Sequence, residues 1–570
     1  MHGVLLYTLI SRQTTEILPS PWMILGSKFF LLYAVATALL LWIIVTARRT
    51  SHSLMLTSLH LFTGFSIAPI LYRLGYGFDG FIHRATESWI FQNGFILPKE
   101  PFYMGQYGIV VWLSHMSTIP AHIIDVYLLP ILASLTIPFV IYYILKHALK
   151  MPSPYAIAST LIIPLVYLNS LYLTTPHNIA LLYLILTAFV LIGYITDKIT
   201  WIIPLALGLL TIVTHPLIGA PLFVIVLSTL MLKRIKNTKL QWFGIIKLTI
   251  VLSLLPAVMF LTHLFLSGYD MPTLINPITN FSKFLDLFAR AHYYRDNAPL
   301  LFEILYLWRE LLIALLVVLG IYGFIAYRDK SRLMYIFPAS VIGMTISAWL
   351  LRTWVVFPNV IGNEQMGYPS RLLHAALIFI LPWTAYGIYH LGKKIIEYFN
   401  GKIPVQFFKL FFILVASFLL MISLYFSYPQ RNAKVWYSGF NVTQYDIDAV
   451  TTIHDENVEK NYIVLSNSIT SVAALDKYSF YKYFMTEQGE LFYYAIPTGG
   501  PLYTHYQDMV YEGQTREHMT DAMDLMDVDK AYFVINWYWH DFTNIVEGAK
   551  KSANSWQSID DKIYVFTYTR

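Results

Sequence analysis

Asp79, His83, Arg84 and Glu87 fall within nine positions of a chain in which only 13% of residues are charged. Asp79, His83 and Glu87 are spaced i, i+4, i+8, so on a helix they share one face and neighbours four apart can interact. A carboxylate in such a setting can remove a proton from a nucleophile or hold a divalent cation. Asp79 stands between Gly77 and Gly80, and glycine lets the backbone bend and approach a ligand closely. Asp79 is therefore the catalytic candidate, with His83 as its helper. Arg84 and Glu87, three apart, read as a solvated helix face at the lipid–water boundary, joined by a salt bridge.

Further groups recur at the ends of apolar runs. His177 and Asn178 close Thr174-Thr-Pro-His-Asn178, and His215 sits in Thr214-His215-Pro216. Arg371 and His374 open a late apolar run three residues apart, so they face the same way on a helix. Arg352 ends the run before it, and Glu364 lies between. Singly, such residues are ordinary at a membrane interface, where arginines snorkel without any chemical role. Together they are informative, because most of them gather at one side. Charges in mid-run are scarce, with Glu310 the exception, whereas a proton-coupled transporter places ionisable groups near the midplane.

The elements that must position these groups are membrane helices. The chain has 570 residues, of which 57% are hydrophobic and 16% aromatic, with a mean hydropathy of +0.55. Soluble domains are roughly 45–50% apolar and about 25% charged. There is no cysteine, so disulfide and thiolate chemistry are excluded. Residues 3–10 are apolar, but no basic segment precedes them and no small-residue cleavage site follows, so they do not read as a signal peptide. Twelve apolar runs qualify as spans: 22–46, 54–74, 125–146, 153–171, 178–195, 200–215, 217–232, 245–267, 303–326, 333–354, 371–391 and 405–427. With residue 50 placed inside, every short inside loop is basic: Arg48 and Arg49; Lys146 and Lys150; Lys198; Lys233 to Lys239; Arg328 to Arg332; Lys393 to Lys402.

This orientation puts three pieces outside: residues 75–124, residues 268–302, and everything after 428. The first should hold a helix from Asp79 to about Phe91, ended by Gly94, and an apolar stretch 107–119 too short to cross. Residues 1–428 then form the membrane domain and 429–570 an extracytoplasmic domain. From residue 430 on there are 11 Lys/Arg against 19 Asp/Glu, and before it 28 against 14; such a split suits two regions in different surroundings. Strands at 461–466, 531–535 and 562–567 alternating with helices at 444–458 and 515–527 make the external domain α/β. No basic tail is present, so nucleic acid is not an expected partner.

A span followed by Asp79-x-x-x-His83-Arg84-x-x-Glu87-x(6)-Gly94, and then Phe102-Tyr-Met-Gly-Gln-Tyr107, resembles the first external loop of the GT-C glycosyltransferases. The nearest echo is the catalytic subunit of oligosaccharyltransferase. The resemblance implies a helical polytopic GT-C-like fold with a C-terminal external α/β domain in the plasma membrane. It implies a polyprenyl-phosphate-linked sugar donor, and a glycan, lipid or protein acceptor. Asp79 would be the catalytic or metal-binding carboxylate, and Arg371, with Arg352 and His374, would bind the donor phosphate. Two features depart from that family. The WWD signature is missing, its region reading Val435-Trp-Tyr-Ser-Gly-Phe440. The acidic pair of the second external loop is also missing, since Leu173–Asn178 contains no acid. A divalent metal, magnesium or manganese, would then rest on Asp79, His177 and His215, with imidazole replacing a carboxylate.

The expected function is an inverting membrane glycosyltransferase. The alternatives are a divergent oligosaccharyltransferase acting on protein asparagine, a polytopic transporter or flippase, and a non-enzymatic scaffold. Asn280-Phe-Ser and Asn441-Val-Thr match the glycosylation sequon, a short pattern that arises readily by chance.

Overall fold

The computed structural model describes the chain except Pro19, Arg48 and residues 97–100, 267–270, 289–299, 358–363, 400–402, 430–440, 458–460 and 487–488. For 101, 300–306, 308–310 and 364 only the backbone is described. Arg48, Lys402, the segment Val435–Phe440 and the side chains of Glu310 and Glu364 thus lie outside the described residues.

Among the described residues, seven helices are long and apolar enough to cross a membrane: Trp22–Thr46, Ala121–His147, Pro176–Ile195, Pro216–Arg234, Thr238–Leu266, Arg332–Thr353 and Val405–Phe426. Gly367–Ile378 and Leu381–Tyr398 pass the same test only when taken together, bent by 43° at the break between them, as in a broken span or a re-entrant loop. The chain is an integral membrane protein by these segments. Twelve spans were expected from the apolar runs, and the other four runs take shorter or interrupted forms among the described residues. Run 54–74 breaks at Ser66 into Thr50–Phe65 and Ile67–Leu71. Run 153–171 is helical over 153–170 but alternates short α and 3-10 turns, with Pro164 removing a backbone donor inside it. Run 200–215 gives only the 13-residue helix Ile202–Thr214. In run 303–326 the described apolar part is Leu311–Ala326.

Pro176–Ile195 is the axis of the bundle, with 89% of its apolar window buried, against 28% for Val405–Phe426. A helix apolar on all sides suits both positions, protein-enclosed or lipid-facing. The helices Leu300–Ala326 and Leu381–Tyr398 pack closely where Gly323 meets Gly387. A Cβ on Gly323 would lie 2.6 Å from the Gly387 nitrogen, the small-residue contact that lets membrane helices approach.

The C-terminal region is α/β. Its sheet has the order β1-β4-β6-β5, from Ile463–Leu465 (β1), Lys530–Asn536 (β4), Ser555–Ile559 (β5) and Ile563–Thr569 (β6). β1 and β4 are parallel, and β4–β6 and β5–β6 antiparallel. Tyr483–Thr486 (β2) and Gly489–Phe492 (β3) form a separate hairpin. Strands appear where β-branched and aromatic residues cluster at 461–466, 531–535 and 562–567, and helices Gln444–Asp455 and Arg516–Met526 occupy the expected places. β4 alternates: Tyr532 and Val534 enter a core on one face, Ala531, Phe533 and Ile535 a core on the other. The helix Gln444–Asp455 begins with a capping box, Thr443 and Asp446 each bonding the other's backbone nitrogen.

The external helix Asp79–Asn93 starts and stops as the sequence indicates, with Gly94 at φ 78°. Its apolar face does not meet lipid. Phe81 and Ala85 are buried within the first of the two C-terminal cores, beside Val472, Leu475 and Phe480. Truncating a buried phenylalanine costs about 3–5 kcal/mol. Phe81→Ala should therefore loosen this helix from the α/β region, and should lower the detergent-solubilised melting temperature while speeding protease cleavage near residues 79–93. A variant with unaltered melting and cleavage would show that the contact bears no load.

Candidate functional site

The turn into the Asp79 helix is built on two left-handed glycines. Gly75 has φ 112° and Gly77 φ 82°. A Cβ on Gly77 would stand 2.7 Å from the Leu173 side chain. Gly80 is helical, and a Cβ there would lie 3.4 Å from Leu173. The glycines flanking Asp79 thus seat the turn against Leu173, a packing role where ligand approach was expected.

Asp79 is the first residue of its helix, where the backbone dipole favours a carboxylate. It is exposed at its surface, while the protein packed around it still desolvates it. That desolvation pushes its pKa up, and the positive charge of Arg371 opposes the rise. One turn on, His83 Nδ1 lies 2.9 Å from the Tyr107 hydroxyl. From His83 a run of rings crosses the site. His83 meets Tyr103 edge-on at 5.5 Å, Tyr103 stacks on His215 at 5.7 Å, and His215 meets His177 edge-on at 5.3 Å.

Each ring is placed by backbone structure. Tyr103 immediately precedes the helix Met104–Ser117. This helix approaches the end of Ile202–Thr214 so closely that a Cβ on Gly105 would sit 2.9 Å from the Thr214 backbone nitrogen. His215 occupies the extended residue between Ile202–Thr214 and Pro216–Arg234. His177 is in the first turn of Pro176–Ile195, which Thr175 caps by accepting from the Asn178 nitrogen at 3.3 Å. Asn178 itself donates to the Leu173 carbonyl at 2.8 Å and stays structural. The Nδ1 atoms of both His177 and His215 are buried without a hydrogen-bond partner.

Arg371 unites these groups. Its charge acts on Asp79, His177 and His215 alike. The guanidinium lies 5.7 Å from the Tyr368 ring centroid, and among the described residues no carboxylate pairs with it at ion-pair distance. His374, one turn along, lines a cavity of about 300 Å³ with Ser370, Tyr167, Leu312 and Leu419. Arg352 is engaged elsewhere. Its Nε donates to the Lys283 carbonyl at 3.1 Å, and its guanidinium is 3.6 Å from Asp286.

Magnesium or manganese does not fit the expected donor set of Asp79, His177 and His215. Among the described residues no three His, Asp or Glu side chains come together as a ligand set. Magnesium and manganese prefer oxygen donors, whereas two of the three expected ligands are imidazoles. Arg371 already brings a full positive charge to the same three residues and would repel a divalent ion.

The solvated reading of Arg84 and Glu87 also fails. Glu87 is 0% exposed and Arg84 7%. Glu87 accepts from Gln106 Nε2 at 2.9 Å, and the same amide nitrogen donates to Asp125 at 3.1 Å. Arg84 pairs at 3.9 Å with Asp476 of the C-terminal region, not with Glu87. The sequence reading gave Asp125 no role and met Gln106 and Tyr107 only within the motif Phe102-Tyr-Met-Gly-Gln-Tyr107. Asp125 opens the apolar run 125–146, and an ionisable residue at the edge of a span is the signal that would have found it.

No protein-family model matches the chain, and no curated protein matches it. Among solved structures, it is similar to the archaeal oligosaccharyltransferase AglB from Archaeoglobus fulgidus in complex with an inhibitory peptide and a dolichol-phosphate. Identity is 11% and the TM-score 0.43, over 89% of this chain and 69% of that one. It is also similar to the oligosaccharyltransferase of the same organism in complex with Zn and sulfate, at 12% identity and TM-score 0.43, over 91% and 70% of the two chains.

Proposed function

We propose that the chain is an inverting glycosyltransferase that moves a sugar from a polyprenyl-phosphate carrier to an acceptor hydroxyl at the outer face of the membrane. One observation carries the reading: the positive charge of Arg371 acts on the Asp79 carboxyl, and His374, one turn from Arg371, lines a cavity of about 300 Å³. A base and an anion-binding cation are what a single displacement at an anomeric carbon requires.

In that step the acceptor oxygen attacks the anomeric carbon and gives its proton to Asp79. The bond from that carbon to the carrier phosphate breaks on the opposite face, and its electron pair leaves with the phosphate oxygen. One base suffices, unlike the two-carboxylate retaining route. Arg371 stabilises the growing phosphate charge through charge-assisted hydrogen bonds, with His374 beside it. The carrier's apolar tail lies along the groove under His374, and the C-terminal region holds the acceptor. Arg352, tied to Asp286, is left to anchor the second external segment.

Two outcomes follow. Asp79→Asn should lower transfer about 10²–10⁴-fold, the usual worth of a general base. The assay is labelled lipid-phosphate sugar supplied to membranes, and unchanged transfer at normal protein level would remove Asp79 from this role. Transfer to a sequon peptide in the same assay would instead make protein asparagine the acceptor. The base must be ionised, and burial raises Asp79 while Arg371 restrains the rise. Activity should therefore fall with decreasing pH along a limb above the ordinary carboxylate range of about 4. Arg371→Gln removes the restraint, so its residual activity should show that limb displaced to higher pH. A limb that moves lower, or stays, would separate the two groups.

A further inference from the structure

The buried groups behind Asp79 are not used by the proposed chemistry. Glu87 and Asp125 are 0% and 2% exposed, and one amide, Gln106 Nε2, donates to both. That amide has two hydrogens, so both are spent on the bridge. Glu87 Oε2 and Gln106 Oε1 remain, each buried without a partner.

The charged and titratable groups around the pair come from four elements. Arg84, on the same helix as Glu87, lies 4.1 Å from the Phe81 ring centroid and acts on both carboxyls. Asp476 reaches in from the C-terminal helix Ser468–Tyr478, 3.9 Å from Arg84 and about a third exposed. Tyr107 comes from the helix Met104–Ser117 and feels both Glu87 and Asp125, with Tyr103 beside it. Asp125 is on the span Ala121–His147. Three carboxyls thus share one guanidinium. Two buried carboxylates bridged by one amide repel each other when both ionise, and burial adds to this, so a proton on one of them is favoured. An ionised Glu87 would also leave Oε2 as a buried, unpaired anionic oxygen, a costly state.

We propose that Glu87, Gln106 and Asp125 form a one-proton clamp that positions the Asp79 helix against the membrane bundle. The positioning role rests on the reading of Asp79 as the base. With the proton in place, the pair carries a single charge and the amide bridges it. When the proton leaves, two anions face each other in a dry site and the helix that carries Asp79 and His83 is pushed off its seat. A cavity of about 20 Å³, lined by Arg84, Asp125, Tyr72, Tyr76 and Thr174, adjoins the clamp. It has room for about one water beside Asp125.

The direction of the pH effect follows. Burial first, and the neighbouring Asp125 second, push Glu87 well above the usual glutamate value. The folded chain binds this proton more tightly than the unfolded chain. The clamp's stabilisation is complete below the ordinary glutamate range and is lost as pH rises through the raised folded value.

The test uses the purified full-length chain in detergent, with melting temperature followed from mildly acidic to alkaline pH. The wild type should lose melting temperature as pH rises. Glu87→Gln, which mimics the protonated carboxyl, should flatten that slope, and Asp125→Asn should do the same by removing the second anion. Glu87→Ala, which leaves a void, should be destabilised at every pH. Parallel curves for wild type and Glu87→Gln would overturn the clamp; if Glu87→Gln fails to fold, the Asp125→Asn curve decides in the same way. In the transfer assay, the alkaline limb of the wild-type profile should vanish in Glu87→Gln while the acid limb stays. An inactive wild type with the expected melting curves would overturn the transferase reading and leave the clamp standing.

Discussion

The site depends on one fifteen-residue helix held between two bodies. Asp79–Asn93 belongs to neither alone. Phe81 and Ala85 complete the apolar core of the C-terminal α/β region, while His83 and Glu87 bond to Tyr107 and Gln106 of the next helix. The helical repeat of 3.6 residues divides these faces, so rotating the helix about its axis would break both sets of contacts together. Asp79, at its first residue, inherits its position from this double attachment. Arg84 closes the arrangement, since its charge reaches Glu87 and Asp125 on the membrane side and Asp476 on the other.

That attachment explains what could and could not be seen in the sequence. The helix from Asp79 to Gly94 was legible because its start, its glycine stop and its periodicity are local. The three main strands were legible because β-branched and aromatic residues cluster in them. The partners of Glu87 and Arg84 were not, because a polar face looks the same whether it meets water or a buried amide. Gln106 lies 19 positions from Glu87, and Asp476 lies in another region of the chain. The form of the apolar runs was not legible for a related reason. Hydropathy registers how apolar a run is and says little about its backbone: 54–74 is interrupted at Ser66, and 153–171 alternates α and 3-10 turns.

The histidines gather for a different reason. Positions 83, 177 and 215 are far apart in sequence, and each sits in the first turns of a helix or in a tight connection. These are the places where a bundle exposes polar backbone and where polar side chains collect. The ring contacts from His83 through Tyr103 and His215 to His177 form because Gly105 lets one helix end approach another. The same crowding brings Asp79, His177 and His215 under the charge of one residue, Arg371.

In the proposed reaction this charge balance has a mechanistic meaning. Before transfer the recess holds an ionised Asp79, the Arg371 cation and a phosphodiester with one negative charge. Afterwards Asp79 carries the acceptor's proton and the released phosphate monoester carries up to two charges. The negative charge has passed from carboxylate to phosphate, with Arg371 facing both, and the total is unchanged. A site with more carboxylates beside Arg371 would hold the guanidinium in ion pairs and weaken its grip on the phosphate as charge develops. The loop Leu173–Asn178, which contributes His177 and no acid, therefore suits a recess where one base and one cation share the work. Glu87 and Asp125 fit the same logic. They lie behind the recess on the other partners of the Asp79 helix, where their remaining charge is taken up by Gln106 and Arg84.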